Sequence, residues 1–234
     1  MIAVIMAAGK GSRISKITNN KPKSFLELRK NFCIIDYQIE LLRKIKIKKI
    51  IIVVGYKYFL FKKKFKNQKD IKLVYNKNWM KDNVLSSFSV ALRYLNDDFI
   101  FLHADSLTEI NVYEKFKNYK NLSLPYKKRQ CGHEEMKVFK ILNKIYLSKK
   151  KIIKKYLGEF IGLAYIPKKY LPEINTGIQN LKKDKEFNKF YFEEIINYLS
   201  YNSKYQINLV DIKLNNYQEI DFLSDYKKAV KKFS

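Results

Sequence analysis

The sequence predicts an α/β protein, with a mostly parallel central sheet covered by helices on both faces and a small β-rich lobe. Three observations carry that expectation. Through the first half, short apolar runs of strand length alternate with segments of helical period. The first of those runs leads directly into a glycine-bearing loop, AAGKGSR. The second half changes character and holds several short strand-like runs close together.

Taken in order, IAVIM at the N-terminus is apolar throughout, as in a strand buried on both faces. Ile34, Ile35, Ile39, Leu42 and Ile45 recur at three- and four-residue spacings and predict a helix. KKIIIVVGY follows as a second buried strand, stopped by Gly55. YFLFKKKFK reads as a short helix and IKLVYN as a third strand. Asn83 is a good N-cap and opens a helix over NVLSSFSVALRYL; DFIFLHAD is a fourth strand, ending in an acid. In such sheets the ligand sits at the carboxyl ends of the strands. From residue 122 onward, MKVFKIL, NKIYLS and GEFIGLAYI are strand-like. Helices follow around 168–181 and 189–201, then the strand YQINLVDI. The final QEIDFLSDYKKAVKKF begins as strand and finishes as helix. With Gly 7 and Pro 4 in the whole chain there is no linker composition, so residues 1–234 read as one domain.

Of the 234 residues, 47% are hydrophobic and 15% aromatic, enough to build a core and exclude disorder as the main state. No run of eighteen apolar residues predicts a membrane span. The N-terminus lacks the layout of a signal peptide. Cys33 and Cys131 are far apart and without metal-type spacing, which points away from disulfides and zinc and toward the cytoplasm. The net charge of +26 would ordinarily suggest nucleic acid. Only five of the 48 cations are arginine, however, and the lysines are scattered over the whole chain rather than clustered. Attraction for small phosphorylated substrates is the milder reading, and no nucleic-acid partner is expected.

The chemistry concentrates in the loop after the first strand. Ala8, Gly9 and Gly11 keep the backbone uncluttered, so peptide N–H groups can approach phosphate oxygens, and Arg13 offers a fork to the same phosphates. The loop is neither a dinucleotide fingerprint, which wants a third glycine, nor a P-loop, since Lys10 is followed by Gly11. A tight strand-to-helix turn is the structural alternative. Ten residues beyond Arg13 comes Lys23, and Pro22 stiffens the backbone ahead of it.

The set AVIMAAGKGSR, KPKSFLEL, IDYQIELL and IIIVVGY resembles the small nucleotidyltransferases of the glycosyltransferase-A-like fold. Among them it is most similar to cytidylyltransferases that activate phosphocholine, aminoalkylphosphonates or similar acceptors. The resemblance extends through HAD at Asp105, GEFIGLAYI, FYFEEII and YQEIDFLSDYKKA, nearly the full chain. It implies a nucleotide-binding half to about residue 121 and an acceptor-binding half over 122–234. It also implies CTP and a small phosphorylated or phosphonate acceptor as partners, with release of pyrophosphate. The loop from Ala8 through Ser12 would hold the nucleotide, with Arg13 and Lys23 on its phosphates as the catalytic residues. Gly55 and Tyr56 would lie near the base, and Asn83 and Ser86 beside base and ribose. Asp105 and Asp221 would bind Mg²⁺, a hard cation that usually takes one or two carboxylates. Each acid has an alternative use as a helix cap.

The resemblance places the acceptor at Glu135, Tyr191, Phe192 and Glu193. A cationic head group wants aromatic walls and carboxylates. Glu135 and Phe192 stand where the phosphocholine type carries tryptophan, and the single tryptophan, Trp79, lies elsewhere. That disfavours choline and leaves a primary amine or an amino-acid-derived phosphate. Tyr191 and Phe192 have ordinary core packing as their alternative. His103 and His133 need no role, because the attacking oxygen is already ionised. Two other readings compete: a sugar-1-phosphate nucleotidylyltransferase of the same fold, and a basic nucleic-acid-binding protein.

Overall fold

Every residue from Ile2 to Ala7 is buried, as a strand covered on both faces must be, and this strand is an interior strand of the main sheet, third from one edge. The computed structural model describes residues 1–150 and 155–234. In chain order its strands begin with β1 (Ile2–Ala7), β2 (Glu27–Arg29), β3 (Phe32–Cys33), β4 (Lys49–Val54) and β5 (Ile71–Tyr75). They continue with β6 (Phe99–His103), β7 (Ser106–Thr108), β8 (Leu122–Lys127), β9 (Lys137–Ile141) and β10 (Lys144–Ser148). The last four are β11 (Gly158–Phe160), β12 (Leu163–Ile166), β13 (Ile207–Ile212) and β14 (Tyr217–Glu219).

Strand β1 runs parallel to β4 on one side and to β6 on the other, and β5 extends the sheet parallel to β4. Side chains of β1 alternate between two layers. Ala3, Ile5 and Ala7 pack with Ile35, Ile39 and Leu42 of the helix Ile34–Lys44 and with Phe61. Val4 and Met6 face the opposite layer, built from Leu85, Phe88, Ile195 and Leu199. The parallel half and its helices on both faces therefore match the expected fold class.

The second half is more antiparallel. Strand β12 pairs antiparallel with β6, β11 pairs antiparallel with both β8 and β9, and β9 and β10 form a hairpin; β13 is parallel to β8. GEFIGLAYI, one run in the sequence, is split at Gly162 into β11 and β12. That glycine has φ +68°, and a Cβ there would lie 2.7 Å from Nδ1 of His103, so the bend requires glycine. The helix expected over 83–95 is likewise two pieces, Val84–Ser89 and a 3₁₀ turn at Leu92–Tyr94. Serines and β-branched valines lower helix propensity along that stretch.

A third apolar cluster joins Ile14, Leu26, Leu28, Leu107, Ile220, Ala229 and Phe233. It seats the C-terminal helix Leu223–Phe233 beside the loop that follows β1. Strand β14 pairs antiparallel with β7. These two contacts carry residues 219–221 to the end of β6. Among the described residues, no helix is long and apolar enough to cross a membrane.

Candidate active site

A cavity of about 560 Å³ opens at the carboxyl ends of β1 and β6. The loop after β1 forms one wall, and its two glycines do different things. Gly9 has no neighbouring atom within 4 Å of where a Cβ would stand, so its backbone is open to the cavity. Gly11 has φ +69°, and a Cβ there would lie 2.8 Å from Cβ of Lys23. Gly11 therefore makes room for the lysine. Pro22 precedes Lys23 in an extended conformation, and Lys23 begins a short 3₁₀ turn.

The ammonium of Lys23 donates to Asp105 Oδ2 at 2.8 Å and to Asp221 Oδ1 at 2.8 Å. Arg13 donates to the other oxygen of Asp221 at 2.7 Å. Burial pushes the Lys23 ammonium down, but Asp105 and Asp221 outweigh it, and its proton is held more tightly than in an ordinary lysine. Burial likewise works against ionised Asp105, and the Lys23 charge reverses the outcome, holding the carboxyl below its usual range. Neither acid caps a helix. Asp105 leads into β7, and the C-terminal helix is capped by Asp225, whose Oδ2 accepts from the N–H of Phe222 at 2.9 Å. Both carboxylates are left to the cavity.

Glu219 joins them: Asp105, Glu219 and Asp221 each offer an oxygen, and these lie within 4.8 Å of one another. Burial, then the charges of Asp105, Asp221 and Glu159, push the Glu219 carboxyl up to about 8. An all-oxygen set of crowded carboxylates fits a hard divalent cation such as Mg²⁺, which would relieve that repulsion.

At the other end of the cavity, Arg129 holds Glu159 at 2.6 Å and Glu135 at 2.5 Å. Lys149 sets its ammonium 4.7 Å from the ring centre of Tyr191. Glu193, 4% exposed, lines the cavity, and its Oε2 has no hydrogen-bond partner. Burial raises its carboxyl above the usual range despite the nearby charges of His103 and Lys149.

The model of the nucleotidyl transferase family matches residues 2–132. The chain belongs to the nucleotidyl transferase family. It is similar to CTP:phosphoglutamine cytidylyltransferase of Campylobacter jejuni, 28% identical over 259 aligned residues that cover 99% of this chain and 100% of that protein. Choline-phosphate cytidylyltransferase of Streptococcus pneumoniae is 25% identical over 232 residues, covering 97% of this chain and 96% of the relative. The solved structure of CTP:phosphocholine cytidylyltransferase from Streptococcus pneumoniae shares the fold, with a TM-score of 0.79 at 23% identity over 100% of this chain and 99% of that one.

In this nucleotidyl transferase the cavity gathers Gly9, Gly11, Ser12, Arg13, Lys23, Asn83, Asp105, Glu135, Tyr191, Glu193 and Asp221 from the residues the sequence singles out. Ala8, Gly55, Tyr56 and Ser86 do not line it. Gly55 is buried under Trp79, with the Trp79 Cβ 2.3 Å from where its own would be, so its small size serves packing. Tyr56 leans on the same Trp79 ring and donates its N–H to the carbonyl of Ala8 at 3.0 Å. Asn83 spends its side chain on capping Val84 and on the carbonyl of Lys189. Phe192 is a correction. It is 0% exposed, stacked 3.5 Å from Phe101 and edge-on to Phe88, and so belongs to the core rather than the acceptor wall.

Glu219 is the chief residue that sequence reasoning missed. Its signal was present: two residues before Asp221 at the end of a strand, it faces the same side. His103 bears the same relation to Asp105, and its ring lies in the cavity against Gly162. Lys127 and Lys149 carried no signal, since the lysine excess hides any one of them, and no local pattern singles out Arg129 or Glu159.

Proposed function

We propose that this nucleotidyl transferase moves CMP from CTP onto a small acceptor bearing a phosphate or phosphonate, releases pyrophosphate, and does so with Mg²⁺ held by Asp105 and Asp221, with Glu219 beside them. The observation that carries the reading is the convergence of Arg13, Lys23, Asp105 and Asp221 beside the open backbone of Gly9. The choice of CTP follows the two relatives above, both cytidylyltransferases matched over nearly their whole length.

The chain's own part is positioning and charge neutralisation. The open loop at Gly9 cradles the triphosphate by its peptide N–H groups, and Arg13 grips the phosphates. Lys23 stabilises the charge that builds on the α-phosphate as the acceptor oxygen attacks in line. Bound Mg²⁺ supplies further neutralisation and a template for the leaving pyrophosphate. No general base is required, because a phosphate or phosphonate oxygen is already ionised near neutral pH.

The test is pyrophosphate release with each of the four nucleoside triphosphates and a panel of phosphocholine, phosphoethanolamine, 2-aminoethylphosphonate and glucose 1-phosphate. Release that needs CTP, Mg²⁺ and an amine-bearing acceptor is the expected result, and Asp105→Asn should abolish it. Release with glucose 1-phosphate alone overturns the acceptor class. An Asp105→Asn enzyme of normal rate overturns the metal assignment.

A further inference from the structure

The helix Ile34–Lys44 turns one polar side chain into the core. Ile34, Ile35, Ile39 and Leu42 form its buried stripe, and Gln38 falls on the same stripe, where the helical period calls for an apolar residue. Gln38 is 1% exposed. Its amide nitrogen donates twice, to the carbonyl of His103 at 2.7 Å and to the carbonyl of Ser106 at 2.7 Å. Both N–H groups of the amide are thereby used. Its Oε1 is buried and has no partner. An unpaired buried acceptor is a cost, so what the side chain contributes is its two donors.

Those two carbonyls bracket Asp105. His103 ends β6 and Ser106 begins β7, with Ala104 and Asp105 between them. The same turn is tied at two other points. The Ala104 N–H donates to the carbonyl of Met6 at 3.2 Å, and the carbonyl of Asp105 accepts from the N–H of Ile220 at 3.1 Å. Gln38 adds the tie to the helix. It does not line the cavity, so any effect it has on the chemistry passes through the turn. A carboxylate that shares a cation with other ligands must be held to within about 0.5 Å, by partners that lie outside the site itself.

We propose that Gln38 is a positioning residue for Asp105: its amide clamps the turn between β6 and β7 and so aims the carboxylate at the divalent cation. The inference rests on the metal assignment above. Loss of a partner that orients a metal-binding group costs about 10- to 100-fold in metal affinity or activity. A purely structural glutamine would cost stability and leave the metal affinity of the folded chain unchanged.

Gln38→Met keeps the length of the side chain and removes both donors. Ile39→Val trims the core face of the same helix and leaves both Gln38 bonds in place. Mn²⁺, which takes the same oxygen ligands as Mg²⁺, is titrated into the full chain, and the free ion is read by electron paramagnetic resonance. Gln38→Met should bind Mn²⁺ at least about tenfold more weakly than the wild type. It should need correspondingly more Mg²⁺ for half-maximal pyrophosphate release, while the acceptor KM at saturating Mg²⁺ stays at the wild-type value. Ile39→Val should lower the melting temperature and keep the wild-type Mn²⁺ affinity. Should Gln38→Met fail to fold, Gln38→Asn, whose amide falls one methylene short of the two carbonyls, repeats the measurement. Equal Mn²⁺ affinity in the wild type and the folded Gln38 variant overturns the inference alone, as does an equal loss in Ile39→Val. Absence of Mn²⁺ binding to the wild type overturns the metal assignment and the inference with it.

Discussion

The ammonium of Lys23 lies 2.8 Å from Asp221, although 198 residues separate them in the chain. The same ammonium holds Asp105 at the end of β6. One lysine thus ties the loop after the first strand, the middle of the sheet and the start of the last helix into a single polar cluster. In the free protein it occupies the position between carboxylates that a divalent cation would compete for.

Removing that ammonium should separate catalysis from metal binding. Lys23→Met is expected to lower turnover by about 100-fold or more. It should also destabilise the metal-free protein by about 2 kcal/mol, because Asp105 and Asp221 lose their shared cation. Added Mg²⁺ should then raise the melting temperature more in the variant than in the wild type. Equal Mg²⁺ shifts in the two proteins would show that Lys23 and the metal do not share the site.

The two loop glycines should fail differently. Gly11→Ala forces a side chain into φ +69° and against Lys23. It should cost about 1–3 kcal/mol of stability along with activity. Gly9→Ala meets no atom of the protein, so its melting curve should match the wild type while its affinity for CTP falls by about tenfold. Melting curves and nucleotide titrations on the two variants check this contrast.

Phe192 tests the boundary between core and acceptor wall. Phe192→Ala should destabilise the fold by about 3–5 kcal/mol, through the cavity left beside Phe101 and Phe88. Phe192→Leu should keep the acceptor KM of the wild type while lowering the melting temperature. A raised KM with unchanged melting would return Phe192 to the acceptor site.

The thiols should be quiet in the folded chain. Burial, then the hydrogen bond to Asp36, push the Cys33 thiol from its ordinary value near 9 up to about 12. Cys131, half-buried, rises to about 11, chiefly by burial. A raised thiol pKa favours the neutral form in the folded state. Its contribution to stability is therefore complete below the unfolded value and is lost as pH climbs from about 9 to about 12. At pH 8.5, iodoacetamide should label Cys33 in the native protein about 100-fold more slowly than in the urea-unfolded chain. Mass-spectrometric mapping of the labelled peptides reads this directly, and equal rates would refute it.

Much of the candidate site was legible because it sits where local rules are strong. Strand β1 is apolar at every position, two glycines follow it at once in the chain, and Pro22 marks Lys23. Asp105 and Asp221 each kept a helix cap as the alternative use until the fold showed Asp105 leading into β7 and Asp225 capping the last helix. Phe192 was misplaced because an aromatic beside Tyr191 and Glu193 gives no hint of which way it points; on the observed helix start it turns inward onto Phe101.

What the sequence by itself determined is the layer order, buried strands alternating with amphipathic helices, and the glycine-bearing loop at the first strand's end. Those follow from hydrophobic period and backbone freedom, which are local. The tertiary structure alone decided that Glu219 completes a carboxylate cluster. It alone decided that Gly55 serves Trp79 rather than the cavity, and that the Lys149 ammonium stands on the Tyr191 ring. These are contacts between residues distant in the chain, the first of them brought about by the pairing of β14 with β7, and no local pattern encodes them.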